Sequence, residues 1–298
     1  MVRQYKIHTN LDGTDDKVWD VTNGKVRFYQ PSNLGLQSTN NIWQSNGIGV
    51  MGTRSITQPQ IEFKLETFGE TLEENYQLLK DFVNDILNKK FVTLEYQTEI
   101  FQVYADLALA DVTKTEGYGK NGTFSEKITF DIITKWYTYE NLTFNMIENG
   151  KVIAGKSKIY GGTAPGNYKY VKGTSYTYYG ESNIDRLSRW DIKDEIFSFM
   201  GILYPKLPKT PAGVRFLDDN GNEYTAIVFK TEQLQNYILI NTDVNDEIYQ
   251  GWNGTTSLNL FPVMDFERYR TRIIEKGQME LINLSKAEFK IKRKADFV

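Results

Sequence analysis

The sequence predicts a mainly β protein of two domains: an N-terminal β-sandwich or split-barrel-like domain with one α-helix, then a second β-sandwich carrying an extended insertion. Three observations predict it. Only residues 71–90, TLEENYQLLKDFVNDILNKK, keep a sustained helical period. Aromatic residues make up 14% of the 298, with 19 Tyr and 17 Phe, which favours pleated, half-buried surfaces. Turn signals recur about every ten residues in the C-terminal part, the spacing of a sandwich. A chain of this length suits two domains, and the boundary is set near Trp136 and Tyr137, giving 1–137 and 138–298.

In chain order, RQYKIHTNLDG reads as a strand ending at Asp12-Gly13. In VWDVTNGKVRFYQP, Asn23-Gly24 separates two alternating runs, which predicts a hairpin. From Asn33 to Gly52 the pattern dissolves into a polar loop around Trp43, too long for an ordinary hairpin connection. IEFKLET then alternates, with Ile61, Phe63 and Leu65 on one face. The helix follows. Leu72, Tyr76, Leu79, Val83 and Ile86, widened by Leu78, Phe82 and Leu87, give it one broad apolar face. Thr71 and Glu74 form a capping box, and Lys89 and Lys90 suit the negative end of its dipole. VTLEYQT is a strand, and residues 101–115 and 123–135 form a strand pair around GYGKNG, with Phe124, Ile128, Phe130 and Ile132 sharing a face.

Beyond the boundary the composition changes. No acid occurs between Glu148 and Glu181, while Lys151, Lys156, Lys158, Lys169 and Lys172 stand among Tyr160, Tyr168, Tyr170, Tyr176, Tyr178 and Tyr179. Such a Tyr/Gly surface reads as a binding loop, as a stacking platform for single-stranded nucleic acid, or as exposed strands with incidental tyrosines. Residues 182–200 read as a short helix, and Pro205, Pro208 and Pro211 stiffen an extended return. VRFLDDNGNEYTAIVF is a hairpin around Asn220-Gly221, and NYILINT, MELINL and AEFKIKRK are strands. KIKRK reads as the solvated face of an edge strand.

Charge and composition exclude several function classes. Lys and Arg total 35 against 38 Asp and Glu, so the net charge of −3 exerts no global pull on nucleic acid or membrane. The start MVRQYKIHTN lacks a signal-peptide core and no apolar run is long enough to span a bilayer, so synthesis in the cytoplasm without membrane insertion is expected. With no Cys and one His, His8, cysteine-ligated zinc, Cys-His pairs and Ser-His-Asp triads are ruled out. DDNGNE resembles the start of a calcium loop but lacks its distal Glu, and a tight turn explains it. DVNDE is a second acidic cluster. No catalytic residue, metal site or cofactor is expected.

WDVTNGKVRF, the loop with Trp43, ENYQLLKDFVNDI, FVTLEYQT, YADLALADVTKTEG and FSEKITFDIITKWY, in this order, resemble the N-terminal domain of siphophage distal tail proteins, the Dit family. The likeness covers residues 1–137, and the long excursion after it resembles the lactococcal form. The resemblance implies a virion protein of the tail tip or baseplate: a hexameric ring between the tail tube and the tail-tip protein, with a galectin-like C-terminal sandwich. It also implies an arm-and-hand insertion at about 145–203 that holds receptor-binding protein trimers for host adsorption. The core likeness resumes near YPKLP. On this reading Tyr160, Tyr168, Tyr170, Tyr176, Tyr178, Tyr179, Lys169 and Lys172 contact that partner, and Trp43, Ile48, Val50 and Met51 lie at the oligomer interface. No sequence-specific nucleic-acid recognition follows. Two other readings stand beside it: a carbohydrate-binding module using aromatics such as Trp252 on a host saccharide, and a polysaccharide hydrolase using unassigned carboxylates.

Overall fold

The computed structural model describes residues 3–295 except 14, 36, 58–59, 115–118, 120–121, 145–146, 149–150, 153–160, 163–178, 181–185 and 234. For 37, 56–57, 143, 147–148, 151–152, 161–162, 179–180 and 186–189 it describes the backbone alone. Two compact units result, one of residues 1–138 with 295–298 and one of residues 139–294.

The first unit holds β1 (Gln4–His8), β2 (Val18–Asp20), β3 (Val26–Ser32), β4 (Gln37–Ser45), β5 (Ile48–Thr57), β6 (Ile61–Thr67), α1 (Leu72–Leu87), β7 (Val92–Gln97), β8 (Gln102–Thr113), β9 (Ser125–Ile132) and the start of β10 (Tyr137–Phe144). Seven strands run antiparallel in the order β2-β1-β7-β8-β9-β6-β3. The two end strands meet where the Phe28 N–H donates to the Val21 carbonyl at 2.7 Å, so the sheet curls nearly closed. Its interior is filled by Ile7, Phe28, Phe63, Leu65, Leu94, Leu107 and Phe130. The strict alternation of Ile61, Phe63 and Leu65 inward is what the sequence predicted.

Helix α1 covers this core. Thr71 caps it, its side chain accepting from the Glu74 N–H at 3.2 Å. The Glu74 carboxylate reaches back to the Glu70 N–H at 2.8 Å, one residue short of a strict capping box. The buried face is Asn75, Leu79, Phe82 and Ile86, narrower than the stripe read from sequence, and Leu72, Tyr76 and Leu87 are exposed. Asn75 is buried without strain because its amide accepts from the Gly69 N–H at 2.7 Å and donates to the Thr71 carbonyl at 2.9 Å.

Two expectations for this unit are corrected. Asn23-Gly24 does lie in a turn, built by the Asp20 side chain accepting from the Thr22 and Asn23 N–H groups. The flanking strands nevertheless take other partners, β2 pairing β1 and β3 pairing β6, so no hairpin forms there. The supposed loop 33–52 is instead part of a hairpin, β4 with β5, turning at Asn46-Gly47. Both turn residues have positive φ, 50° and 78°, as a type I′ connection requires.

The second unit continues β10 and adds the short pairs β11 (Ile147–Glu148) with β12 (Lys151–Val152) and β13 (Gly161–Gly162) with β14 (Tyr179–Gly180). Then come β15 (Arg186–Ile192), β16 (Ile196–Pro205), β17 (Ala212–Leu217), β18 (Glu223–Phe229), β19 (Tyr237–Asn241), β20 (Ile248–Trp252), β21 (Ser257–Asn259), β22 (Gly277–Ile282) and β23 (Leu284–Lys294). One sheet runs β10-β23-β16-β19-β20-β21 and the other β15-β22-β17-β18. They share one core of Phe199, Leu203, Phe216, Phe229, Ile240, Leu281 and Phe289, which makes a β-sandwich. The helix expected over 182–200 is replaced by β15 and β16, because Trp190, Ile192, Ile196 and Phe199 suit two strands that join different sheets across 193–195. The hairpin around Asn220-Gly221 forms as read, the Asp218 carboxylate accepting from the Asn220 and Asn222 N–H groups. KIKRK is not an edge. β23 lies between β10 and β16, and Lys292 is buried against Asp243 at 2.9 Å.

Candidate functional site

The feature of the first unit that its core does not explain is the β4–β5 ribbon. Strands of nine and ten residues pair only with each other, and every residue from 38 to 55 is exposed. It prolongs the neighbouring strands β3 and β6 as an arm. Register divides its apolar residues by face: Trp43 lies opposite Val50, and Ile48 opposite Ser45, two positions along on the same side. Ile42 and Met51 pair on the other side. Gly52 leaves room for the indole, since a Cβ there would stand 3.1 Å from Trp43 Nε1. Trp43 is 66% exposed and Ile48 68%. Of the four residues expected at an oligomer interface, Trp43, Ile48 and Val50 therefore share a face, and Met51 joins Ile42 opposite.

The expected receptor-binding contacts Tyr160, Tyr168, Tyr170, Tyr176, Tyr178, Lys169 and Lys172 lie outside the described residues, and for Tyr179 only the backbone is described, in β14. Trp252 is half-buried at the end of β20, opposite Tyr237 of β19.

A polar cluster that sequence reasoning missed surrounds His8. Its Nδ1 lies 2.6 Å from Asp16 Oδ2 and its Nε2 2.8 Å from Glu95 Oε2, while Lys6 Nζ donates to Glu95 Oε1 at 3.1 Å. Two carboxylates on two ring nitrogens require both to be donors, which selects the imidazolium. Burial pulls the His8 pKa down, and the hydrogen bonds to Glu95 and Asp16 more than offset it, so it stands above its ordinary value. The hydrogen bond from His8, opposed by burial and helped by Lys6, holds Glu95 at about 2. Around this centre Asp15 takes Lys89 at 2.9 Å, and Asp85 takes Lys17 at 2.5 Å and the Trp19 indole N–H at 3.0 Å. The cluster clasps the segment after β1 onto β7 and α1. It offers charge pairing and no nucleophile. Its signal was present in the sequence: Lys6 and His8 lie two apart on one face of a strand, ready for an acid on the next.

Among the described residues no group of three or more His, Asp or Glu side chains is assembled to hold a metal ion. The DVNDE cluster is a turn in which Asp243 accepts from the Asn245 N–H and pairs with Lys292.

Residues 4–133 match the family model of the distal tail protein N-terminal domain, and residues 135–298 that of the Dit C-terminal domain. The distal tail proteins of Lactococcus phages p2 and SK1 are 95% and 93% identical over 298 residues, the whole of this chain and of each relative. A chain in the structure of the phage P2 baseplate in its activated conformation with Ca is 95% identical, with a TM-score of 0.78 and complete coverage of both chains. The Dit protein of phage SPP1, at 11% identity, a TM-score of 0.52, and 98% and 99% coverage, shares the fold alone.

Proposed function

This chain belongs to the distal tail protein family, and from that premise we propose how it acts as a structural hub of the phage tail baseplate. The observation that carries the hub role is identity at 95% along the full length with a protein that is itself part of a baseplate. It is a virion component. Six copies form a ring through the first unit, the ring joins the tail tube to the tail-tip protein, and the excursion docks receptor-binding protein trimers; it ends before β15 and not at 203 as expected, because residues 186–192 and 196–205 are strands of the sandwich with Ile192, Ile196, Phe199 and Leu203 in its core. The exposed arm supports the ring. A two-stranded ribbon is marginal in water by itself, and apolar side chains on both its faces serve a chain that is covered on assembly. The function is carried by docking surfaces and not by chemistry.

Deleting residues 37–57 tests this reading. β3 and β6 are already hydrogen-bonded neighbours, so the shortened chain keeps its sheet. Its mass by light scattering should fall to that of one shortened chain, below the 34.5 kDa of the full chain. An unchanged oligomer removes the arm from the ring.

A further inference from the structure

The sequence holds six Asn-Gly pairs, and in each the Asn side-chain amide lies within reach of the next residue's backbone nitrogen. Asn121 and Asn149 fall outside the described residues, and the other four pairs differ in how they are held. After Asn23 the Gly24 N–H donates to the Asp20 carbonyl at 2.9 Å, and after Asn220 the Gly221 N–H donates to the Asp218 carbonyl at 2.9 Å. The side-chain oxygen of Asn253 accepts from the Thr255 and Thr256 N–H groups at 3.0 and 2.9 Å, which fixes its amide as an Asx turn. Asn46-Gly47 has neither restraint. The ladder of the arm closes on Ser45↔Ile48, so the Gly47 N–H stands outside it, and among the described residues nothing bonds that N–H or the Asn46 amide. Both residues are exposed, and no atom lies within 4 Å of the place a Gly47 Cβ would take. The pair stands at the tip of a two-stranded ribbon, a marginal structure in water.

We propose that Asn46 is a site of spontaneous covalent modification, at which the free Gly47 nitrogen attacks the Asn46 side-chain amide. The bond from Gly47 N to Asn46 Cγ forms and the Cγ–Nδ2 bond breaks. Ammonia leaves with the proton that Gly47 gives up, and a five-membered succinimide remains. Water then opens this ring at one of its two carbonyls. Opening on the Cγ side leaves an aspartate in place of Asn46 on an ordinary backbone, and opening on the other side leaves an isoaspartate whose main chain runs through Cβ and Cγ. Closure needs the Asn46–Gly47 peptide to turn. An unsupported tip allows that, and glycine puts no side chain in the way, whereas the carbonyls of Asp20 and Asp218 hold the other two glycines in place. Either product writes the first negative charge on the arm, because Arg54 is the only charged residue between 37 and 57. The isoaspartate also lengthens the main chain of a turn built for two residues with positive φ. The chemistry belongs to the single chain and holds with or without the ring.

The test is peptide mapping by mass spectrometry on the full chain, kept in warm, mildly alkaline buffer with and without unfolding urea. In urea Asn23, Asn46 and Asn220 should convert from amide to acid at a common rate, since each is then an Asn-Gly pair in an open chain. In the folded chain Asn23 and Asn220 should slow by roughly five- to tenfold, the worth of a retained hydrogen bond, while Asn46 stays near its open-chain rate. Isoaspartyl methyltransferase should label the peptide that contains Asn46 ahead of every other described site. Asn46→Gly should lose that label and keep the ribbon, because Gly-Gly also suits a type I′ turn. Conversion of Asn46 that slows on folding as much as that of Asn23 and Asn220 would overturn the site. So would labelling of the folded chain that appears first at another described asparagine.

Discussion

The imidazole of His8 is held between two carboxylates and stands 2.8 Å from Glu95 across the β1–β7 pair. A raised His8 pKa contributes stability that is full below its ordinary value of 6.5 and lost as pH rises through the folded value. The Glu95 pKa, lowered from 4.5 to about 2, contributes above 4.5 and is lost as pH falls toward 2, a contribution of roughly 3 kcal/mol. Thermal unfolding of the full chain should therefore show its highest midpoint between about pH 4.5 and 6.5. In His8→Gln the decline above pH 6.5 should flatten. An identical pH profile in wild type and variant would remove the clasp from the stability of this unit.

Lys292 and Asp243 form a buried pair in the second unit. Lys292→Met should destabilise by about 3–5 kcal/mol, because it strands an uncompensated carboxylate. Adding Asp243→Asn should restore much of the loss in chemical denaturation. A single variant as stable as wild type would show that water reaches Asp243.

Gly47→Val should act on the arm alone. A β-branched residue resists the positive φ of 78° at that turn, so limited proteolysis should cut near residue 47 while the unfolding midpoint stays within a degree or two. Thr71→Ala should do the reverse, costing about 1 kcal/mol through the lost cap and leaving the arm intact. Crossed results, with a lowered midpoint for Gly47→Val, would mean that the arm belongs to the core's cooperative unit.

For the excursion, surface plasmon resonance of a receptor-binding trimer on Tyr168/Tyr170/Tyr176→Ala should show a loss of about 2 kcal/mol or more, near thirtyfold, if these tyrosines anchor the contact. Replacing the five lysines by Gln should instead slow association and remove its salt dependence. Full-strength binding after excision of residues 151–180, with the ring intact, would end the docking assignment.

What could be read from the sequence was what is local. Ile61, Phe63 and Leu65 announce their strand because one face is buried, Thr71 marks the helix start, and the Asn220-Gly221 turn needs only its neighbours. Asn23-Gly24 misleads because turn chemistry says nothing about which strands the flanking residues join, and β2 and β3 each find a partner elsewhere. The arm was hidden because neither face is buried in this chain, so its residues show no alternation around Asn46-Gly47. Lys292 looked like a surface residue because the acid that neutralises it is 49 positions away. The exposed apolar residues near Trp43 were singled out by the oddness of their composition, while their division between faces depended on register.

The arm's attachment also fixes a load path. Tension at its tip passes into β3 and β6 side by side and in one direction, so it shears the bonds that tie this pair to its neighbour, from Ile61↔Phe130 to Glu66↔Ser125, which must yield together and not one at a time. The two anchors are unequal: β6 is gripped on both sides, by β3 and β9, whereas β3 has β6 on one side and, among the described residues, the Phe28–Val21 bond on the other. An arm pulled by force should give way first at β3, near the bulge at Gln30, with β6 and the helix after it still in place.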